Sequence, residues 1–223
     1  MQTTRIFTAR MSAILLVLLP ALLFSQPQDG WQLKRDKGGV KVYMRDAAGS
    51  KIKELKFTTS IHASLNTIAY VLTNVEGFDN WVYASVMSET IKKVSDTEVY
   101  YYTEMDFPWP LSNRDLVLYS KFWQDPKTLA LHSVTTSAHW MKPEKENIVR
   151  IKKADLRWSF TPTGNGNIRV DYYLKSDPGG IIPAWLVNLA ADQGPMQTMV
   201  KLKEELKKEE YRHKTLAFVQ EYK

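Results

Sequence analysis

Residues 107–115 read Phe-Pro-Trp-Pro-Leu-Ser-Asn-Arg-Asp, and the run they open, Arg114 to Gln124, alternates as a strand. Side chains in a strand change face at every residue. Arg114 therefore shares a face with Leu116, Leu118, Ser120 and Phe122, while Asp115, Val117, Tyr119, Lys121 and Trp123 take the other. A guanidinium that heads a mainly apolar row needs a partner or a polar ligand to satisfy it. The pattern suggests an internal pocket with one polar anchor.

Working outward, Val40–Arg45 and Lys51–Ile61 read as strands, with Gly49 in the gap between them. Ser64 caps a helix whose apolar set, Leu65, Ile68, Ala69 and Leu72, makes one buried face ending near Gly77. Six more strands follow: Tyr83–Lys93, Glu98–Phe107, Arg114–Gln124, Leu129–Ser137, Val149–Pro162 and Asn167–Lys175. Asp125-Pro126 and Thr163-Gly164-Asn165-Gly166 punctuate them as turns. The gaps are short and hold no helical crossover, so the sheet is expected to be antiparallel. Ala184 to Lys208 reads as a long C-terminal helix carrying Trp185, Leu186, Leu189, Met196, Met199, Leu202 and Leu206, with a kink expected at Gly194-Pro195. The class is α+β, with a strongly curved sheet gripping one long helix and leaving space between them.

The first acid is Asp29, whereas Arg5 and Arg10 precede an apolar run from Met11 to Phe24, MSAILLVLLPALLF. That run is shorter than the ~20 residues a bilayer core requires. Residues 1–25 read as a secretory signal peptide, so the protein is expected to be exported to the periplasm or the medium. An uncleaved N-terminal anchor is the alternative. Residues 26–223 then form one domain, whose net charge falls from +6 to about +4 once Arg5 and Arg10 are gone. The basic residues are dispersed, which argues against a nucleic-acid partner. There is no cysteine, so disulfides, iron–sulfur clusters and thiol nucleophiles are excluded.

His62, His132, His139 and His213 form no close pair suited to a metal, so neither metal nor cofactor is expected. No Gly-x-Ser-x-Gly elbow or phosphate-binding glycine loop occurs. Seven Trp and eleven Tyr stand out, since aromatics with a polar tip suit pockets for amphipathic ligands as well as cores. Trp158 shares a face with Leu156 and Phe160 and fits either role. If Glu98–Phe107 and Arg114–Gln124 pair with position numbers summing to about 220, then Glu98, Tyr100, Tyr102, Glu104 and Asp106 fall on the Arg114 side. Either a buried carboxylate–guanidinium pair or an ordinary rim salt bridge follows. Asp115, on the other parity, reads as a surface or turn-closing group.

Four segments together resemble the START domain family, the lipid-transfer domains related to the steroidogenic acute regulatory protein. They are Trp31 with Gly39-Val40-Lys41-Val42-Tyr43-Met44-Arg45; Ser50 to Lys56; Pro110-Leu111-Ser112-Asn113-Arg114-Asp115-Leu116-Val117; and Asp177-Pro178-Gly179-Gly180 followed by Ile182-Pro183-Ala184-Trp185-Leu186-Val187-Asn188. The resemblance implies a helix-grip fold with an internal hydrophobic cavity for one sterol, phospholipid or ceramide. It implies that Arg114 is a cavity residue paired with an acid, Glu98 and Glu104 being the candidates. Tyr102, Leu116, Leu118, Trp158, Trp185, Leu189, Met196 and Met199 complete the expected ligand-binding set. The last helix would open near Gly179, Gly180, Gly194 and Pro195. The chain departs from the family in having little room before Trp31 for the usual first helix.

The function expected is a monomeric, non-enzymatic carrier or sensor of a hydrophobic molecule. The alternative is a helix-grip enzyme, of cyclase or hydrolase type, using Arg114 with Glu104 as an acid/base pair. Lys201, Lys203, Lys207, Lys208 and Lys214 suggest transient contact with a membrane surface, or simply the wet face of a helix.

Overall fold

The computed structural model describes residues 29–222; the signal-peptide reading of residues 1–25 lies outside them. In chain order the elements are β1 (Gln32–Lys37), β2 (Val40–Arg45), β3 (Glu54–His62), α1 (Leu65–Thr73), α2 (Phe78–Trp81), β4 (Ser85–Lys93), β5 (Glu98–Met105), β6 (Arg114–Gln124), β7 (Leu131–Ser137), β8 (Val149–Arg150), β9 (Lys153–Gly164), β10 (Asn167–Asp177), α3 (Ala184–Ala190) and α4 (Gln193–Glu205). The strands form one curved sheet in the order β1-β2-β3-β10-β9-β7-β6-β5-β4, antiparallel except where the two residues of β8 lie parallel to β6.

Most of these elements follow from local rules. Ser64 accepts a hydrogen bond from Thr67 N at 3.0 Å and starts α1, and the α1 residues Leu65, Ile68 and Ala69 are fully buried. The α1 helix ends at Thr73, a turn before Gly77, because Asn74 already leaves helical geometry. Three expectations need correction. The sequence pattern missed β1, since Gln-Leu-Lys-Arg-Asp-Lys at a sheet edge is exposed throughout and has no apolar alternation to reveal it. The strand expected over Val149–Pro162 is two strands. The long helix is interrupted at Ala191–Asp192, one turn before the expected kink. Pro195 has no N–H to give to the carbonyl of residue 191, so the break falls upstream and Pro195 sits in the first turn of α4, where proline is tolerated.

The main core lies between the sheet and the α1–α2–α4 side. Val40, Val42, Leu55, Phe57, Trp158, Phe160, Val170 and Tyr172 face inward and meet Trp81, Met199 and Leu202. Gly194 lets α4 approach closely, because a Cβ there would stand 3.0 Å from the Tyr83 ring; Tyr83 N also donates to Thr198 Oγ1 at 3.0 Å. Past α4 the tail closes the core: Leu216, Phe218, Val219 and Tyr222 pack on it. Glu221 accepts from the backbone N–H groups of Leu65 (3.1 Å) and Asn66 (2.7 Å) at the start of α1. A carboxylate at that end complements the helix dipole.

Two positions in β6 overturn the expected charge pattern. The β5–β6 register pairs Met105 with Arg114 and Glu98 with Lys121, one residue away from the expected sum. Asp115 is not the surface group expected: it is fully buried on the outer face and held by Arg150 through Nε–Oδ1 (2.7 Å) and Nη2–Oδ2 (2.9 Å). The remaining Arg150 hydrogen bonds go to the carbonyls of His139, Lys142 and Pro143. One guanidinium thus fastens the whole β7–β8 connection over Tyr102 and Val117. Removing one member of a buried, fully bonded pair leaves the other charge uncompensated. Asp115→Ala is expected to lower unfolding free energy by about 3–5 kcal/mol in urea titration, whereas Glu98→Ala, at a partly exposed surface pair, is expected to leave the midpoint nearly unchanged.

Candidate functional site

Because neighbouring strands share faces in register, the inner wall can be traced row by row. One row runs Val99–Ser120–Thr135–Leu156–Leu174–Leu55, the next Phe122–Ser133–Trp158–Tyr172–Phe57, and a third Tyr101–Leu118–Ser137. Leu116 and Leu118 are buried in a cluster with Val75, Tyr101 and Ile151, beside Phe78. Trp158 stacks on Tyr172 at 3.8 Å between centroids and meets Trp81 edge-on at 6.3 Å. Met199 is buried in the core, and Met196 packs against it half-buried.

The predicted acids are elsewhere. Glu98, Tyr102 and Glu104 lie on the outer face with Asp115, because the register differs by one residue from the expected one. Glu98 accepts from Tyr119 Oη at 2.8 Å and pairs with Lys121 at 2.8 Å, and Lys121 holds its carboxyl below the usual carboxylate range. Glu104 takes hydrogen bonds from Tyr102 Oη and Lys145 Nζ, both at 3.1 Å. Tyr102 is buried on that outer face, under Lys142 and Lys145.

Arg114 does point inward, and it is 2% exposed. Among the described residues no carboxylate pairs with it. Its Nε donates to Pro178 O at 3.3 Å, its Nη1 donates to Ser112 O, and its guanidinium lies 4.5 Å from the Phe107 ring centroid. Burial lowers its pKa, with no acid to offset the effect. Arg114 is thus a clamp at one end of the sheet, joining the β5–β6 loop to the β10–α3 loop. Gly180 makes this possible: its φ is +70°, and a Cβ there would stand 3.4 Å from Arg114 Nη2.

The helix next to this clamp is lightly attached. No residue of α3 is buried, and Trp185 and Leu189 are 68% and 59% exposed, so neither lines an enclosed wall here. Asn188 ties α3 to the start of β3, accepting from Lys53 N and donating to Lys51 O, each at 2.9 Å. On the inner wall Met105, Ala154, Leu156 and Leu174 remain only partly buried. At the clamp the two loop tips hold Trp109 and Ile181, 93% and 99% exposed. Sequence reasoning missed this pair, although each large apolar residue sits in a loop beside prolines and glycines. It also passed over the hydroxyls at 133, 135 and 137, which share parity with buried Leu131.

Comparison with known proteins agrees with this geometry. The START domain profile matches residues 24–212. An uncharacterised protein of Pseudomonas aeruginosa is 29% identical over 175 residues, covering 78% of this chain and 86% of that one. The mouse phosphatidylcholine transfer protein is 30% identical over 170 residues, covering 74% and 78%. Among solved structures, a STAR-related lipid transfer protein from Xanthomonas axonopodis superposes with a TM-score of 0.75 at 31% identity, covering 81% of this chain and all of the other. Human StAR-related lipid transfer protein 5 shares the fold, with a TM-score of 0.71 at 17% identity and coverage of 82% and 88%. With the profile spanning most of the sequence and the sheet wrapped on its C-terminal helix, the chain belongs to the START domain family.

Proposed function

We propose that the protein carries or senses one hydrophobic or amphipathic lipid, of sterol or phospholipid class, held between the inner wall and α3, without catalysing a reaction. The observations that carry this reading are an unburied α3, tied by Asn188 to the start of β3, and an inner wall whose Met105, Leu156 and Leu174 are only partly buried. Apolar surface left that way gains by covering a lipid chain, about 0.8 kcal/mol per methylene. Ten methylenes would contribute roughly 8 kcal/mol before ordering costs. Membership of a lipid-transfer family, and the names of the mouse and Xanthomonas relatives, support the same class. The acid/base alternative loses its pair, since Glu104 and Arg114 face opposite sides of the sheet.

Exchange with a membrane would use the clamp end. Trp109 and Ile181 stand on the two loops that Arg114 joins, and a bilayer would cover them while α3 swings on its Asn188 tether. The contact proposed is thus on the apolar tips Trp109 and Ile181, with the lysines of the C-terminal helix as the wet face. The mature protein is proposed to act as a monomer in the periplasm or outside the cell, on the strength of the charged start and short apolar run in residues 1–25.

Native mass spectrometry of the purified mature protein is expected to show a bound lipid. An empty protein that also takes up neither fluorescent sterol nor fluorescent phospholipid would overturn the reading. Trp109→Ala with Ile181→Asp is expected to slow lipid transfer between vesicles by about tenfold, the effect of ~1.4 kcal/mol on the membrane encounter, while leaving equilibrium loading unchanged. Arg114→Met removes two charge-assisted hydrogen bonds and is expected to cost about 2–3 kcal/mol of local stability, read as faster amide exchange at residues 179–182.

A further inference from the structure

The inner wall is unusual in what it lacks. Among the described residues, the inward rows of β5, β6, β7, β9 and β10 contain one charged side chain, Arg114, and it is engaged by main-chain carbonyls at the rim. On the helical side Asp192 is buried but paired with Arg35 at 2.7 Å. Glu205 is buried and held by Lys208 (2.9 Å) and Tyr211 Oη (2.7 Å). None of these charges is free to meet a ligand headgroup.

What the wall does contain is hydroxyl groups. Ser120, Ser133 and Thr135 lie inward on β6 and β7; Thr135 Oγ1 donates to Ser120 Oγ at 2.9 Å, and Ser120 and Ser133 are 3.4 Å apart. The Tyr101 phenol is buried beside Thr135, and burial raises its pKa, so it remains a neutral donor. Ser137 is next on the same face, and its Oγ is buried with no hydrogen-bond partner. A buried hydroxyl without a partner costs about 1–3 kcal/mol. The row Leu174–Leu156–Thr135–Ser120 leads from the partly buried leucines directly into this cluster.

Resting on the lipid-binding reading above, we infer that this hydroxyl cluster, Tyr101, Ser120, Ser133, Thr135 and Ser137, receives the polar end of an uncharged, hydroxyl-bearing lipid and discriminates against charged or zwitterionic headgroups. A neutral hydroxyl can donate to and accept from such a cluster. A phosphate buried there would find no cation to compensate its lost hydration.

The test holds the tails constant and varies the head. Delipidated mature protein is titrated with diacylglycerol and with phosphatidylcholine carrying the same fluorescent acyl chain. Diacylglycerol is expected to bind at least tenfold more tightly. Ser120→Ala with Thr135→Val is expected to weaken diacylglycerol binding about five- to tenfold and to leave phosphatidylcholine binding unchanged, while thermal unfolding of the variant confirms that it is folded. Ser137→Ala, which removes only the partnerless hydroxyl, repeats the test with less disturbance and is expected to weaken diacylglycerol binding alone. Equal or tighter binding of phosphatidylcholine, or variants that leave diacylglycerol binding unaltered, would overturn the inference while the lipid-binding reading stands. Binding of neither probe overturns it too, and the native mass measurement then decides whether the underlying reading falls with it.

Discussion

The pairing of Met105 with Arg114 sets the interior of this protein. Period-two alternation means that one residue of slip would exchange the two faces of β5. In the observed register Tyr101 and Thr103 join Leu116 and Leu118 inside, while Glu98, Tyr102 and Glu104 go outside. The alternative would bring two carboxylates into the inner wall and turn Tyr101 away from the core. Asp115, which faces outward by its own place in β6, escapes a large desolvation cost because Arg150 reaches it from β8 and gives its other hydrogen bonds to three carbonyls. Register, buried ion pair and the cover over the outer face are thus one linked arrangement.

Stability is unevenly distributed as a result. The α1, α4 and tail end is tied by Ser64, Glu221 and the packing of Phe218 on Phe122, at 5.9 Å between ring centroids. The α3 end is held by one asparagine tether and the Arg114 clamp. Weakly buried segments open at lower free energy than the core. A domain that must admit a water-insoluble molecule benefits from that asymmetry, because one end can move without loss of the rest. The exposed Trp109 and Ile181 lie at that more lightly held end.

Fold and family are shared with lipid-transfer proteins of bacteria and mammals, and inside the sheet this chain presents the hydroxyls of Tyr101, Ser120, Ser133, Thr135 and Ser137. A wall of Leu, Trp and Tyr interrupted by serine and threonine differs from one that offers a fixed charge. Hydroxyl groups such as those of Ser120, Ser133 and Thr135 bond one another and can equally turn to a guest. A fixed charge lacks that freedom, since it must be compensated in both states.

Much of this could be read from residues alone. The Ser64 cap and the 65, 68, 69, 72 stripe determined α1, alternation determined β2, β6 and β10, and Arg114 stood out as a guanidinium heading an apolar row. The inward direction of Arg114 was legible for the same reason, since it shares parity with Leu116 and Leu118. Its partners were not. Which strand residue stands opposite another depends on long-range pairing and on what covers each face, and neither leaves a local signal. Exposed β1 has no apolar period to betray it, and Arg150 is unremarkable until β8 brings it beside Asp115. Local periodicity thus decided the elements and their faces. Only the folded sheet decided register, because the energies that select it come from charges and side chains tens of residues apart.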